Sequence, residues 1–322
     1  ALFEINKKYK MNYILGLVIG FMIPLVIILL RDFFNTRIMD KKDIEDNTTV
    51  PILGVVGHNA AASEFIVNLK PKSSLAESFR SVKTNLEYLL LDDSSKIINI
   101  TSAVSGEGKT FSSINLAAIT AMTNKKTLLV GLDLRKPKLH HEFNIDNTVG
   151  LSTYLIGKHS FEDVQLSTSI ENLTLIPAGP TPVNPAQLIE TDKFKDFIKM
   201  VRRDYEFIIF DTPPAALVSD ALVLARYADA NIFVVRQNYS NKNVLDLIND
   251  FQRNNKLPNM SILVNDVKLS GYYGNSYGYG YGYGYGYGYG YGYGYGENYY
   301  DDDDVKVSMK EKIKKIITFG KR

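Results

Sequence analysis

Nineteen residues from Asn12 to Leu30, NYILGLVIGFMIPLVIILL, carry no charge, and at about 1.5 Å per residue they make a helix about 28 Å long, close to the hydrocarbon thickness of a bilayer. Lys7, Lys8 and Lys10 precede the run, and Arg31, Arg37, Lys41 and Lys42 follow it. The near balance of these flanks leaves orientation open. A secretory signal would be shorter and end at a small-residue cleavage site, and a buried core helix would be less uniformly apolar. The pattern therefore predicts a transmembrane helix over 12–30, after 1–11 as the end of a region on the other side. Residues 31–74 read as a linker of mixed charge with one short strand, PILGVV.

From Leu75 the pattern becomes regular. Ser74 is placed to cap a helix reaching to about Leu91, with Leu75, Phe79, Val82, Leu86, Leu89 and Leu90 at helical spacing. Short apolar runs then alternate with helical stretches: Ile97–Ile100, Thr127–Leu132, Leu173–Ile176, Phe207–Phe210, Asn231–Val235 and Ser261–Val264. Continuous apolar strands separated by helices imply a mostly parallel sheet with helices on both faces, so 75–270 reads as one α/β domain.

After Ser270 the composition changes. Ten Tyr-Gly dipeptides run from Tyr277 to Gly296, which puts fourteen of the 21 tyrosines between Tyr272 and Tyr300. Glycine at alternate positions offers no packing and maximal backbone entropy, so 271–300 reads as a low-complexity tail. Residues 301–322 begin with Asp301–Asp304 and end in the basic stretch Lys306–Arg322, which suits either an anionic lipid surface or plain solvent.

Composition narrows the chemistry. The chain has no cysteine, which excludes disulfides, thiolate nucleophiles and cysteine-bound zinc. Only four histidines are present, too few to favour an all-histidine metal site, and a net charge of +2 gives no electrostatic reason to expect a nucleic-acid partner.

The densest chemical signal lies in IINITSAVSGEGKTFSSINLAA, residues 97–118. An apolar strand enters a small loop with glycines, and Gly108-Lys109-Thr110 opens a helix. Loop amides and the helix N-terminus both present N–H groups to an anion, so Ser105, Gly106, Glu107, Gly108, Lys109, Thr110 and Phe111 are the expected nucleotide contacts. Lys109 would reach the β- and γ-phosphates and the Thr110 hydroxyl would bind Mg²⁺. The first position of this pattern is normally glycine; here it is Ala103. Two further strands end in acids: Asp133 with Arg135 after Thr127–Leu132, and Asp211-Thr212-Pro213-Pro214 after Phe207–Phe210. Ligands of open parallel sheets collect at strand carboxyl ends, so Lys109, Asp133 and Asp211 are the expected catalytic set, with Thr110, Asp133 and Asp211 around the metal.

SAVSGEGKT, LLVGLDLRKPKLH and FIIFDTPP, in that order, resemble the Walker A, A′ and B segments of bacterial tyrosine autokinases, a deviant-Walker branch of the P-loop NTPases. The partitioning and septum-positioning ATPases of the same branch carry a second lysine early in the loop, where this chain has Ala103, Val104 and Ser105, which favours the kinases. Glu77, Arg80 and Lys83 in ESFRSVKTNL resemble the family's E-x-x-R-x-x-R motif for ring assembly, and the spacing sets them on one helix face. NPAQLIETDKF after PAGPTP adds to the likeness, which covers roughly residues 12–300.

The resemblance implies a P-loop tyrosine kinase domain on the cytoplasmic side of the inner membrane, using ATP and Mg²⁺. It further implies a homo-oligomeric ring, polysaccharide export or polymerase partners, a phosphotyrosine phosphatase, and no nucleic acid. The implied phosphoacceptors are Tyr272, Tyr273, Tyr277, Tyr279, Tyr281, Tyr283, Tyr285, Tyr287, Tyr289, Tyr291, Tyr293, Tyr295, Tyr299 and Tyr300. The family's A′ segment reads D-x-D-x-R, but the first acid is Gly131 here. Asp133 is thus left to order magnesium waters or to accept the tyrosine proton alone. The rival readings are an ATPase switch without kinase activity, like the partitioning ATPases, and a structural export component with an adhesive tail.

Overall fold

The computed structural model describes residues 9–60, 65, 72–90 and 95–268. The tyrosine-rich tail and both ends of the charged C-terminus, with all fourteen expected phosphoacceptors, lie outside the described residues.

Helix α1, Tyr9–Phe33, contains the apolar run and Pro24. Its span Met11–Arg31 is long and apolar enough to cross a membrane, and none of it is buried against the rest of the chain. After a short helix α2 (Lys41–Glu45), the α/β unit is built from β1 (Ile52–Gly57), α3 (Ser74–Leu89), β2 (Lys96–Ser102), α4 (Lys109–Ala121), β3 (Thr127–Gly131), α5 (Leu139–Glu142) and α6 (Leu151–Leu155). There follow β4 (Leu166–Ser167), β5 (Leu173–Ile176), α7 (Pro185–Ile189), α8 (Asp192–Asp204), β6 (Phe207–Asp211), α9 (Asp220–Ala225), β7 (Ala230–Arg236), α10 (Asn243–Arg253) and β8 (Met260–Val267).

Among the described residues the strands form one sheet in the order β1-β8-β7-β2-β6-β3-β5-β4. Every neighbouring pair is parallel except β4–β5. Side chains of a strand alternate between faces, and here both faces are apolar because both are covered. Ile98 and Ile100 of β2 point into one cluster with Phe79 of α3 and Ile114 of α4. Ile97, one residue away, points into the opposite cluster with Phe194 and Phe197 of α8. A third cluster sets Phe233 and Val235 of β7 against Leu245 and Ile248 of α10.

The expected strands and the layered architecture are present. The segment expected to be a linker differs. Ile38, Ile44, Val50, Leu53 and Val56 are buried, β1 pairs with β8, and the backbone of Ile38 bonds to Ser240 and Asn238. The folded unit therefore takes in residues well before Leu75. Its apolar positions there are spaced too widely to read as one amphipathic element. The cap of α3 also moves by one residue: the Ser73 hydroxyl accepts from the Ala76 amide at 3.2 Å, and Ser74 is already helical.

Candidate active site

The loop between β2 and α4 follows from its glycines. Gly106 and Gly108 have φ of +90° and +96°, a region in which a side chain is strained. A Cβ on Gly108 would also lie 1.9 Å from the Asn265 side-chain nitrogen. Helix α4 begins at Lys109 with no side-chain cap on its first amides, which leaves its positive end facing the loop. The Lys109 side chain is buried, and among the described residues it makes no ion pair or side-chain hydrogen bond. A buried cation answered only at a distance, by the Asp211 charge, is costly, so this pocket suits an anion.

Asp211 ends β6 beside β2, where residues 96–100 pair with 207–211. Its carboxylate accepts from the Thr110 hydroxyl at 2.9 Å and from Ser113 at 3.3 Å. Burial pushes its pKa up to about 6, against the pull of the Lys109 charge and the Thr110 bond, while the Asp133 charge pushes the same way as burial. A buried carboxylate answered by hydroxyls, with a second carboxylate near it, fits a divalent cation. Asp133, just past β3, has one carboxylate oxygen on the Lys136 amide at 3.0 Å. Lys109, Thr110, Asp133 and Asp211 are thus brought together at the carboxyl ends of three adjacent strands.

Other expected contacts are placed differently. The Glu107 side chain is buried within the loop: it accepts from the Val104 amide at 2.8 Å and from the Ser240 hydroxyl, and burial raises its pKa. Only the backbone of Glu107 is available to a phosphate. Phe111 likewise packs inward, edge-on to Phe79 with centroids 5.6 Å apart. On α3, Arg80 pairs with Glu77 and Lys83 with Glu87, both at 2.7 Å.

Sequence reading passed over the braces. The Tyr239 hydroxyl donates to the Ser105 carbonyl at 2.9 Å, Arg236 to the Gly106 carbonyl at 2.9 Å, and Asn265 to the Glu107 carbonyl at 3.0 Å. Arg135 forms a two-point pair with the buried Asp220 at 2.7 and 3.0 Å, tying the loop after β3 to the start of α9. Arg236 and Asn265 lie at the end of β7 and near the end of β8, and Tyr239 and Arg135 lie a few residues past a strand end, so proximity to strand carboxyl ends was the signal available. At Gly131, in place of the missing acid, a side chain would need its neighbours to give by a few tenths of an ångström. A Cβ there would sit 3.0 Å from the Ala178 amide nitrogen and 3.4 Å from Leu139.

Comparison with known proteins agrees with this geometry. A family model described as an AAA domain matches residues 95–264, more than half the chain. The chain is 36% identical over 214 residues to the tyrosine-protein kinase YwqD of Bacillus subtilis, covering 65% of this chain and 90% of that protein. It is 32% identical over 279 residues to the tyrosine-protein kinase ptk of Acinetobacter johnsonii, covering 83% of this chain and 38% of that one. It thus spans nearly all of the Bacillus relative and well under half of the Acinetobacter one. Among solved structures, the chimerical protein CapA2B2 matches with a TM-score of 0.65 at 32% identity, over 70% of this chain and 98% of that one. The kinase domain of the Escherichia coli tyrosine kinase ETK matches with a TM-score of 0.65 at 26% identity, over 76% and 97%. A phosphate loop with two acidic strand ends beside it, and near-complete coverage of a named kinase, lead to one conclusion: this chain belongs to the bacterial tyrosine autokinase family.

Proposed function

We propose that the chain transfers the γ-phosphoryl group of Mg-ATP to the C-terminal tyrosines of a neighbouring copy, and so regulates polysaccharide polymerisation or export from the inner membrane. The observation that carries this reading is the convergence of Lys109, Thr110, Asp133 and Asp211 below an uncapped helix N-terminus. When bound, Mg-ATP supplies the phosphoryl group, with the metal neutralising charge that develops on its oxygens. Lys109 and the loop amides from Ser105 to Phe111 hold the phosphates. Thr110 and Asp211 hold the metal, and Asp133 stands at the point of transfer.

A tyrosine hydroxyl with pKa near 10 is neutral at pH 7, so a proton acceptor beside it is a chemical requirement. The repeated Tyr-Gly units offer many nearly equivalent acceptors, and a flexible tether raises their local concentration to the millimolar range. Ring assembly rests on Glu77, Arg80 and Lys83. The ion pairs Arg80–Glu77 and Lys83–Glu87 lie within one helix, and such pairs are worth only about 0.2–0.5 kcal/mol each, so exchanging them for a neighbour's side chains costs little. Phosphorylation adds about −1.5 to −2 charges per tyrosine, and several beside Asp301–Asp304 would repel one another and loosen a ring. A phosphotyrosine phosphatase would reset the cycle, and α1 would anchor it to the membrane with the kinase domain in the cytoplasm.

The test is intact mass spectrometry after incubation with Mg-ATP. The wild type should gain several phosphates, while Lys109→Met and a tail deletion should gain none. Hydrolysis of ATP with no mass gain in the wild type would instead establish the switch reading.

A further inference from the structure

The loop after β3 carries Arg135-Lys136-Pro137-Lys138 along the rim of the reaction cleft. Lys138 lines that cleft together with Asp133 and Asp211, and the Lys136 amide is bonded to the Asp133 carboxylate at 3.0 Å. Both lysines are exposed, and Asp133 is half-exposed beside them. Among the described residues neither lysine makes an ion pair or a side-chain hydrogen bond. Arg135 differs: Asp220 holds its guanidinium at 2.7 and 3.0 Å, which fixes the start of the segment. Several lysines on other faces are answered locally, Lys125 by Glu206, Lys195 by Asp192 and Lys199 by Asp196. Two open ammonium groups at the rim are thus a charged surface without a counter-charge. Being exposed, they meet what approaches the cleft.

Charge is what the acceptor segment lacks until its end. Residues 269–296 contain no Asp, Glu, Lys or Arg. Ten equivalent Tyr-Gly units offer a kinase nothing by which to choose among them. The sequence then turns acidic, with Asp301-Asp302-Asp303-Asp304 directly after Tyr299 and Tyr300. Consecutive Cα atoms are 3.8 Å apart, so whatever holds Asp301 and Asp302 keeps these two tyrosines within about 4–11 Å along the chain.

We propose that Lys136 and Lys138 dock the Asp301–Asp304 block of a neighbouring copy, so that Tyr299 and Tyr300 are presented to Asp133 before the Tyr-Gly units. The two lysines are specificity determinants. They touch no reacting atom and act on the encounter with the acceptor. This assignment rests on the tyrosine-kinase reading above. An exposed ion pair is worth at most about fivefold in affinity, so two lysines should favour the adjoining tyrosines by about three- to thirtyfold. Salt should erase most of that preference.

The experiment uses the full chain in detergent with Mg-ATP, stopped early and mapped by fragmentation of the C-terminal peptide. The readout is the ratio of phosphate on Tyr299 and Tyr300 to phosphate on Tyr277 and Tyr279. In the wild type at low salt this ratio should be three or more, and it should fall toward one at 0.5 M salt. Replacing Asp301–Asp304 with asparagines should bring it toward one without touching the folded domain. The double variant Lys136→Gln, Lys138→Gln should do the same while keeping its Mg-ATP affinity by calorimetry within twofold. Exchanging the charges, with Lys136→Glu and Lys138→Glu against four lysines at 301–304, should restore the preference. A wild-type ratio below three overturns the assignment and leaves the kinase reading intact. So does a ratio that survives the glutamine substitutions, and so does a loss of Mg-ATP affinity with the ratio retained, which would give the lysines to the nucleotide. The wild type and the tail variant decide the matter even if the glutamine variant fails to fold. A wild type that binds Mg-ATP but gains no phosphate on any tyrosine removes the kinase reading, and this assignment with it.

Discussion

Replacing Asp211 with asparagine should make the nucleotide-free protein more stable while removing its activity. Burial raises the Asp211 pKa from 3.8 to about 6, a shift of about two units or about 3 kcal/mol at 1.36 kcal/mol per unit. The sign follows from proton uptake: between pH 4 and 6 the folded protein holds a proton that the unfolded chain has lost, so stability falls as pH rises through that window. Above about pH 6 the full penalty of a buried charge is present, and it vanishes as pH falls toward the unfolded pKa. Asparagine carries no charge but weakens the bonds from Thr110 and Ser113, at a cost of about 1 kcal/mol. The net gain at pH 7.5 is about 2 kcal/mol, or about 4–8 °C in melting temperature for a domain of this size. Thermal melts of the detergent-solubilised chain in EDTA, wild type against Asp211→Asn, would measure it. The gap should shrink by about 1.4 kcal/mol between pH 7.5 and pH 5, and Mg-nucleotide should stabilise the wild type more than the variant. A variant less stable than wild type at pH 7.5, or a gap independent of pH, would refute the reasoning.

Three further outcomes are expected. Gly108→Ala meets both the left-handed backbone and the Asn265 side chain, so it should lose nucleotide binding by calorimetry and cost about 1–3 kcal/mol in a melt. Arg135→Ala and Asp220→Ala should each destabilise the fold by about 1–2 kcal/mol and lower kcat, and their double mutant should be little worse than either alone. Strict additivity would mean that the pair does not act as a unit. Charge reversal of Arg80 and Lys83 should leave the melting temperature within about 2 °C, since pairs one turn apart on a helix contribute under about 1 kcal/mol. The same variant should lower the particle mass by light scattering, and an unchanged mass would detach this helix face from assembly.

The layered sheet was legible because its strands are continuous apolar runs that stop at motif residues: Ile97–Ile100 before the phosphate loop and Phe207–Phe210 before Asp211. Asp133 and Asp211 were legible for the same reason, since each closes such a run, and Lys109 because it opens a helix straight after the loop glycines. The braces were not. Ser240 lies past the end of β7 and Asn265 near the end of β8, and in sequence both look like ordinary turn formers. Glu107 shows the converse error. A carboxylate between two loop glycines reads as a ligand, yet its side chain is spent on Val104 and Ser240. The burial of Ile38 and Ile44 was hidden because each meets the core singly, against α10 and β7, with no repeating pattern around it.

Helix α1 ends at Phe33, and by Thr36 the backbone is already hydrogen-bonded to Lys242. Phe34 and Asn35 are all that lies between, about 7 Å of slack even when stretched. From Thr36 to Met39 the chain is laced to residues 237–242, the stretch whose Tyr239 and Ser240 grip the phosphate loop. With the apolar helix in a bilayer, the domain cannot swing on a long leash or tumble freely. It would ride close to the lipid with one fixed underside, copies would meet by sliding in a plane, and that underside lies a few bonds from the phosphate loop.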